Sequence, residues 1–257
     1  GRAVDAYSQA THEPVEDAAI GYDFGQYYIW PYPPTFLFPA TLLALLPLIP
    51  ATLVWMLATF PLYAAAVRGA VGSRVGWVLA CGFPAVIWNL AVGQNGFLTA
   101  GLVGGTLVLL DRRPILAGIC LGILTYKPHL GILFPLALAV GGHWRAIASA
   151  TVTTIVLALA AGFAFGFDTW TAFAHSLGST SSTVFTDGRA DLAKQQTVLG
   201  FLRWLGVGVE LAWAFHGLTM AACAAAVAFS WRRSEAEIRF ATLGVGALLA
   251  TPYLYIY

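Results

Sequence analysis

The chain has 257 residues, of which 59% are hydrophobic and 10% charged, with a net charge of +1 and a mean hydropathy of +0.76. That composition excludes an ordinary soluble domain, and without a basic run the chain is not expected to bind nucleic acid. Charges gather in short connections between long apolar stretches, the pattern of an all-α, polytopic transmembrane helical bundle.

In chain order, residues 1–33 are acidic and aromatic, with Asp5, Glu13, Glu16, Asp17 and Asp23 and no lysine. They are predicted to form an external loop. Within it Tyr27, Tyr28, Trp30 and Tyr32 read as an interfacial aromatic belt, with stacking on a sugar as the alternative. Residues 34–167 hold the apolar segments Pro34–Ile49, Ala51–Val67, Trp77–Ala91, Gly96–Leu110, Ile115–Tyr126, His129–Val140 and Ala146–Phe167. The proline-studded run from Pro33 to Pro50 is expected to be re-entrant or interfacial, leaving a single net crossing before Arg68.

Residues 168–208 form a second external loop. Its serine-rich first half reads as flexible, and Leu192 to Leu205 as a helix lying in the interface, anchored by Trp204. Residues 209–257 supply two further transmembrane helices, Val209–Trp231 and Ile238–Tyr257. Arginines fall in alternate connections, at Arg68 and Arg74, Arg112 and Arg113, Arg145, then Arg232, Arg233 and Arg239. The positive-inside rule makes those connections cytoplasmic and the intervening ones external. Gly1 is not a natural start and Thr251 to Tyr257 stop inside an apolar run, so the chain reads as a piece of a longer protein, truncated at both ends.

Lys127 stands between two apolar runs too short to cross a bilayer. Pro114 to Tyr126 extends about 20 Å as a helix, against a hydrocarbon core of about 30 Å. An ionisable group at that depth costs roughly 3 kcal/mol or more unless it faces protein or water. A recessed cation asks for an anion, and a phosphate is the natural candidate; the plain alternative is a lysine that snorkels to the interface. His129 is a candidate second donor to that phosphate.

Gln94 and Asn95 lie at the tip of a similar short hairpin and are expected to line the same externally open pocket as Lys127. Polar glue between helices is the alternative for both. Asn95 is also placed to cap the helix starting at Gly96, and Pro128 to open the helix after Lys127, whose first N–H groups would favour an anion.

Gln195, Gln196 and Arg203 are candidates for contact with a sugar or a lipid headgroup, against a solvated helix face. Asp23 is the in-chain candidate for a general base, Asp5 a weaker one, while Asp168 and Glu210 read as helix-end residues. Cys81, Cys120 and Cys223 sit in apolar runs as core residues, and no metal-ligand spacing occurs among the histidines.

The ordered set Tyr32-Pro33-Pro34, Gly93-Gln94-Asn95, Tyr126-Lys127-Pro128 and Gln195-Gln196-Thr197 ahead of Gly200 resembles glycosyltransferase family 87 of the GT-C superfamily. The opening Gly1 to Tyr7 is similar to the family's segment early in its first external loop. The resemblance implies a hexosyltransferase of the bacterial plasma membrane, multi-pass, with its active site facing outside. It implies transfer of a hexose, typically mannose, from a polyprenyl-phosphate-linked donor to an external lipid or glycan acceptor.

The implied chemistry is a metal-independent inverting displacement that uses no cofactor. Membrane lipids, the donor and the acceptor are the expected partners. The resemblance also places the catalytic aspartate upstream of Gly1 and gives Lys127 the charge that grows on the leaving phosphate. A membrane transporter or lipid flippase is the rival, since recessed breaks between half-length helices also build transport sites.

Overall fold

The computed structural model describes residues 2–21, 30–181 and 192–254. Its regular elements are all helical. After a short 3-10 turn, α1 (Gln9–Ile20) ends on Gly21 at φ 89°. A 3-10 turn at Pro34–Phe36 leads into α2 (Leu37–Leu43) and then α3 (Leu48–Val71). The segment Trp77–Ala91 is two helices rather than one, α4 (Val75–Gly82) and α5 (Pro84–Ala91). Pro84 forces the change: it lacks an N–H, and it holds Phe83 in an extended conformation at ψ 126°, outside the helical region.

Next come α6 (Gly96–Leu109) and α7 (Pro114–Ile123), followed by 3-10 turns at Leu124–Tyr126 and Pro128–Gly131. The regular helix after Lys127, α8, covers only Phe134–Val140, so the expected α-helical N-terminus at Pro128 is replaced by a tight turn. The long α9 (Trp144–Phe165) precedes α10 (Asp168–Ser181). The serine-rich stretch expected to be flexible is therefore helical through Ser181. The Tyr7 ring meets Phe173 edge-on at 5.9 Å, and Ser176 satisfies its hydroxyl on the Phe173 carbonyl, so tertiary packing overrides a weak local preference.

A 3-10 turn at Leu192–Lys194 and the short α11 (Val198–Trp204) stand where one interfacial helix was expected. Leu199 is fully buried against Ala212 while Trp204 is exposed. The chain ends with α12 (Val209–Arg233) and α13 (Ala236–Ala250). Thr251, ahead of Pro252, is extended at ψ 131°, which stops the last helix short of the expected Tyr257.

Among the described residues three helices, α3, α9 and α12, are long and apolar enough to cross a membrane. In each, only 17% of the most apolar window is buried inside the protein, and Leu57, Phe163 and Leu218 stand exposed. Apolar faces of that extent need lipid around them. Inside, Leu110, Leu124, Phe134, Leu138, Val227 and Leu243 form the main core.

Close helix packing runs through glycines, as is common in bilayers. A Cβ on Gly101 would lie 2.9 Å from Leu62, and one on Gly104 2.9 Å from Ala66. Likewise Gly118 packs on Ala146 and Ser149, and Gly122 on Thr153. The rising numbers on both partners show that α6 runs parallel to α3, and α9 parallel to α7. Thr99 meets Tyr126 and Thr106 meets Ala117, so α6 and α7 run antiparallel, and the start of α6 and the end of α7 share one end of the bundle.

Candidate functional site

The turn between α5 and α6 closes on Gly93 at φ 65°, a left-handed conformation that suits glycine. Asn89 secures it: its Oδ1 accepts from the Gly96 N–H at 3.0 Å and its Nδ2 donates to the Gln94 carbonyl at 3.2 Å. The expected side-chain cap by Asn95 is absent; Asn89 instead takes the first N–H of the helix, that of Gly96. Asn95 is left for other partners.

Lys127 supplies one of them. Its backbone is fixed between the two 3-10 turns, its N–H donating to the Leu124 carbonyl at 2.8 Å and its own carbonyl accepting from Leu130 at 3.1 Å. Its Nζ donates to Asn95 Oδ1 at 2.6 Å. An ammonium has no acceptor, so the amide must present its oxygen to Lys127. Asn95 Nδ2 then donates to the Tyr32 hydroxyl at 2.7 Å. The lysine Nζ lies 6.0 Å from the centre of the Tyr32 ring. Lys127 is half-buried and Asn95 buried. Among the described residues no carboxylate pairs with Lys127. One neutral acceptor cannot offset a half-buried positive charge, which leaves an unmet preference for an anion.

Aromatic rings wall this cation. Phe36 stacks on Tyr126 at 4.8 Å and 12°, and Tyr32 packs on Phe36 at 4.6 Å. Tyr126 is fixed by a 2.6 Å hydrogen bond shared with Thr99. From the N-terminal segment, the Tyr7 hydroxyl donates to the Tyr32 carbonyl at 3.1 Å. Burial pushes the Tyr7 phenol above its ordinary range, so it stays a donor at any physiological pH.

The remaining candidates gather on the other flank. The His129 ring meets Tyr253 edge-on at 6.3 Å. Next to Tyr253, the Leu254 carbonyl accepts from the Gln196 N–H at 2.8 Å, tying the turn before α11 to the end of the chain. The Gln196 side chain itself is exposed. Gln195 is 4% exposed, and among the described residues neither its Oε1 nor its Nε2 has a hydrogen-bond partner. It lies over Gly200, where a Cβ would collide with it, while Thr197 accepts from the Gly200 N–H at 2.9 Å. An orphaned buried amide costs roughly 1–3 kcal/mol unless a polar group is brought to it. Arg203 donates to the Val207 carbonyl at 2.9 Å, and that residue packs with Tyr253 on the Leu199 and Ala212 cluster.

Tyr32, Asn95 and Lys127 thus form one linked cluster, while Gln94 is held beside it through its backbone by Asn89. His129 meets Tyr253, Gln196 is tied through its N–H to the neighbouring Leu254, Arg203 reaches Val207 of the same apolar cluster, and Gln195 lies over Gly200. Asp23, Tyr27 and Tyr28 lie outside the described residues. Asp5 accepts from the Arg2 N–H at 2.7 Å and sits 3.8 Å from its guanidinium, a local capping role. Asp168 opens α10 and Glu210 lies in the first turn of α12. Sequence reasoning missed Asn89, Thr99, Phe36 and Tyr253, each of which sits inside an apolar run with no spacing to mark it.

No curated protein and no solved structure matches the chain. Glycosyltransferase family 87 matches residues 30–252, from Trp30 through both hairpin tips to Pro252. With that match spanning most of its length and the three long apolar helices of the fold, the chain belongs to glycosyltransferase family 87 and is a membrane glycosyltransferase.

Proposed function

We propose that the cluster around Lys127 receives the phosphate of a polyprenyl-phosphate-linked hexose, with mannose the first donor to test, and that transfer occurs on the outer face of a bacterial plasma membrane. The observation that carries this reading is the Lys127 ammonium, held at 2.6 Å by the neutral Asn95 and left without a carboxylate among the described residues. Membership of a transferase family favours transfer over transport as the use of this recessed cation.

In the proposed step an acceptor hydroxyl oxygen attacks the anomeric carbon from the face opposite the phosphate. Its proton passes to a carboxylate, the bond from the anomeric carbon to the phosphate oxygen breaks, and the electron pair leaves on that oxygen. Configuration inverts, and no metal is needed. Charge grows on the departing polyprenyl phosphate, where a fixed ammonium in a site screened from water stabilises the transition state more than the ground state. Gln195, with its unsatisfied amide, is assigned to hydroxyls of the sugar, and His129 to a second contact with the phosphate. The acceptor is a lipid or glycan on the same face.

The test is transfer of labelled mannose from polyprenyl-phospho-mannose by membranes carrying the full-length protein or its Lys127→Ala variant. Removing one electrostatic donor of this kind costs about 10²–10³ in rate. Equal rates in the two would sink the phosphate role of Lys127. A panel of polyprenyl-linked sugars that yields no product with the unmodified protein would sink the donor class.

A further inference from the structure

The opposite end of the bundle carries a second cationic feature of different construction. Since α7 and α9 run parallel, their first turns lie side by side, and the Ser149 hydroxyl clips them together by donating to the Ile115 carbonyl at 2.8 Å. The free N–H groups of both helix starts add partial positive charge there. A cavity of about 310 Å³ opens at this point, lined by Arg112, Arg113, Pro114, Ile115, Leu116 and Arg145.

Among the described residues none of these three arginines pairs with a carboxylate; Asp111, the acid next to them in sequence, lies 4.0 Å from His143. Other arginines are differently engaged: Arg68 lies over Trp77 at 5.9 Å, Arg233 over Phe229 at 5.1 Å and Arg239 over Trp231 at 5.7 Å. Below the cavity an apolar strip continues along α7, where Ile115, Leu116 and Ile119 are exposed. Trp144 stands exposed at the start of α9, a ring suited to the headgroup level of a bilayer.

We propose that this cavity binds an anionic phospholipid, with its phosphate on the guanidinium groups and its acyl chains along the apolar strip of α7. Guanidinium forks match phosphate oxygens in pairs, and basic pockets between transmembrane helices favour acidic headgroups. Free phosphate has the same charge chemistry but leaves the apolar strip uncovered, which is why the lipid is the occupant. By the arginine alternation the lipid belongs to the cytoplasmic leaflet, across the membrane from the transfer site.

The test uses the full-length protein, purified and stripped of lipid, with phosphatidylglycerol or phosphatidylcholine added back and bound lipid read by native mass spectrometry. Phosphatidylglycerol is expected to bind preferentially. The Arg112→Ala/Arg113→Ala/Arg145→Ala variant is expected to weaken that binding by about a hundredfold. Replacing the same three residues by lysine keeps charge and fold and is expected to restore part of it. An Arg68→Ala/Arg233→Ala variant is expected to bind as the unmodified protein does. Equal binding of the two lipids, equal loss in the Arg68/Arg233 variant, or displacement of phosphatidylglycerol by inorganic phosphate would each overturn the proposal.

Discussion

The two hairpin tips at one end of this bundle are built on opposite principles. The tip between α5 and α6 closes on itself: Asn89 satisfies both the Gly96 N–H and the Gln94 carbonyl. The tip carrying Lys127 closes on its neighbour, with its ammonium on Asn95. Because Asn89 does the structural work, Asn95 can spend both ends of its amide on Lys127 and Tyr32. One tip is a scaffold and the other presents a charge.

The division is broken most directly at Lys127. Lys127→Ala is expected to reduce glycosyl transfer by about 10²–10³ while leaving the membrane yield of the protein unchanged. A variant that fails to accumulate would instead make Lys127 part of the scaffold. Asn95→Asp is the next largest change. It sets a carboxylate 2.6 Å from the ammonium, an internal anion that competes with the donor phosphate. Transfer is expected to fall about tenfold or more, chiefly as a higher KM for the donor, given that a hydrogen bond to a charged group is worth ~1.5–3 kcal/mol. An unchanged KM would argue that the phosphate does not reach Lys127.

Tyr32→Phe is subtler. It keeps the ring that faces the lysine and removes only the hydroxyl that accepts from Asn95 at 2.7 Å. With about 1 kcal/mol at stake, transfer is expected to drop roughly fivefold. A drop as large as that of Lys127→Ala would mean that Tyr32 touches the substrate itself.

Much of this arrangement was legible in the sequence, and what was not had physical causes. That Lys127, Gln94 and Asn95 share one end followed from segment lengths and the alternation of arginines. Their direct contact did not, since it depends on glycine-mediated packing that sets α6 parallel to α3 and fixes where its first residue falls. Asn95 is expected to cap the helix that starts at Gly96, because an asparagine in that position does so by default. It binds Lys127 and Tyr32 instead, while the Gly96 N–H goes to Asn89, seven residues upstream, which only the fold of the Gly93 turn brings there. The break at Pro84 follows from proline chemistry, although hydrophobicity alone reads Trp77–Ala91 as one segment. The helix over the serine-rich stretch was not legible, because Tyr7, far away in sequence, supplies part of its packing.

Asn89→Ala is the smallest expected effect on activity and the sharpest test of the comparison. The substitution orphans one backbone N–H and one backbone carbonyl at a tip recessed from water, and is expected to cost ~1–2 kcal/mol of stability. Two routes then open for the turn. If it holds its shape, Asn95 stays on Lys127 and transfer stays within about twofold of the unmodified protein, with the loss seen only as a lower thermal midpoint. If the loosened turn instead lets Asn95 Oδ1 swing onto the N–H groups of the first turn of α6, Asn95 must leave the lysine, and activity falls toward that of Asn95→Asp without any charge having been added. Measuring the thermal midpoint and the donor KM on the same preparation separates these routes. A lowered midpoint with an unchanged KM keeps the scaffold and the charge-presenting tip distinct. A raised KM shows that the two tips draw on one supply of hydrogen bonds.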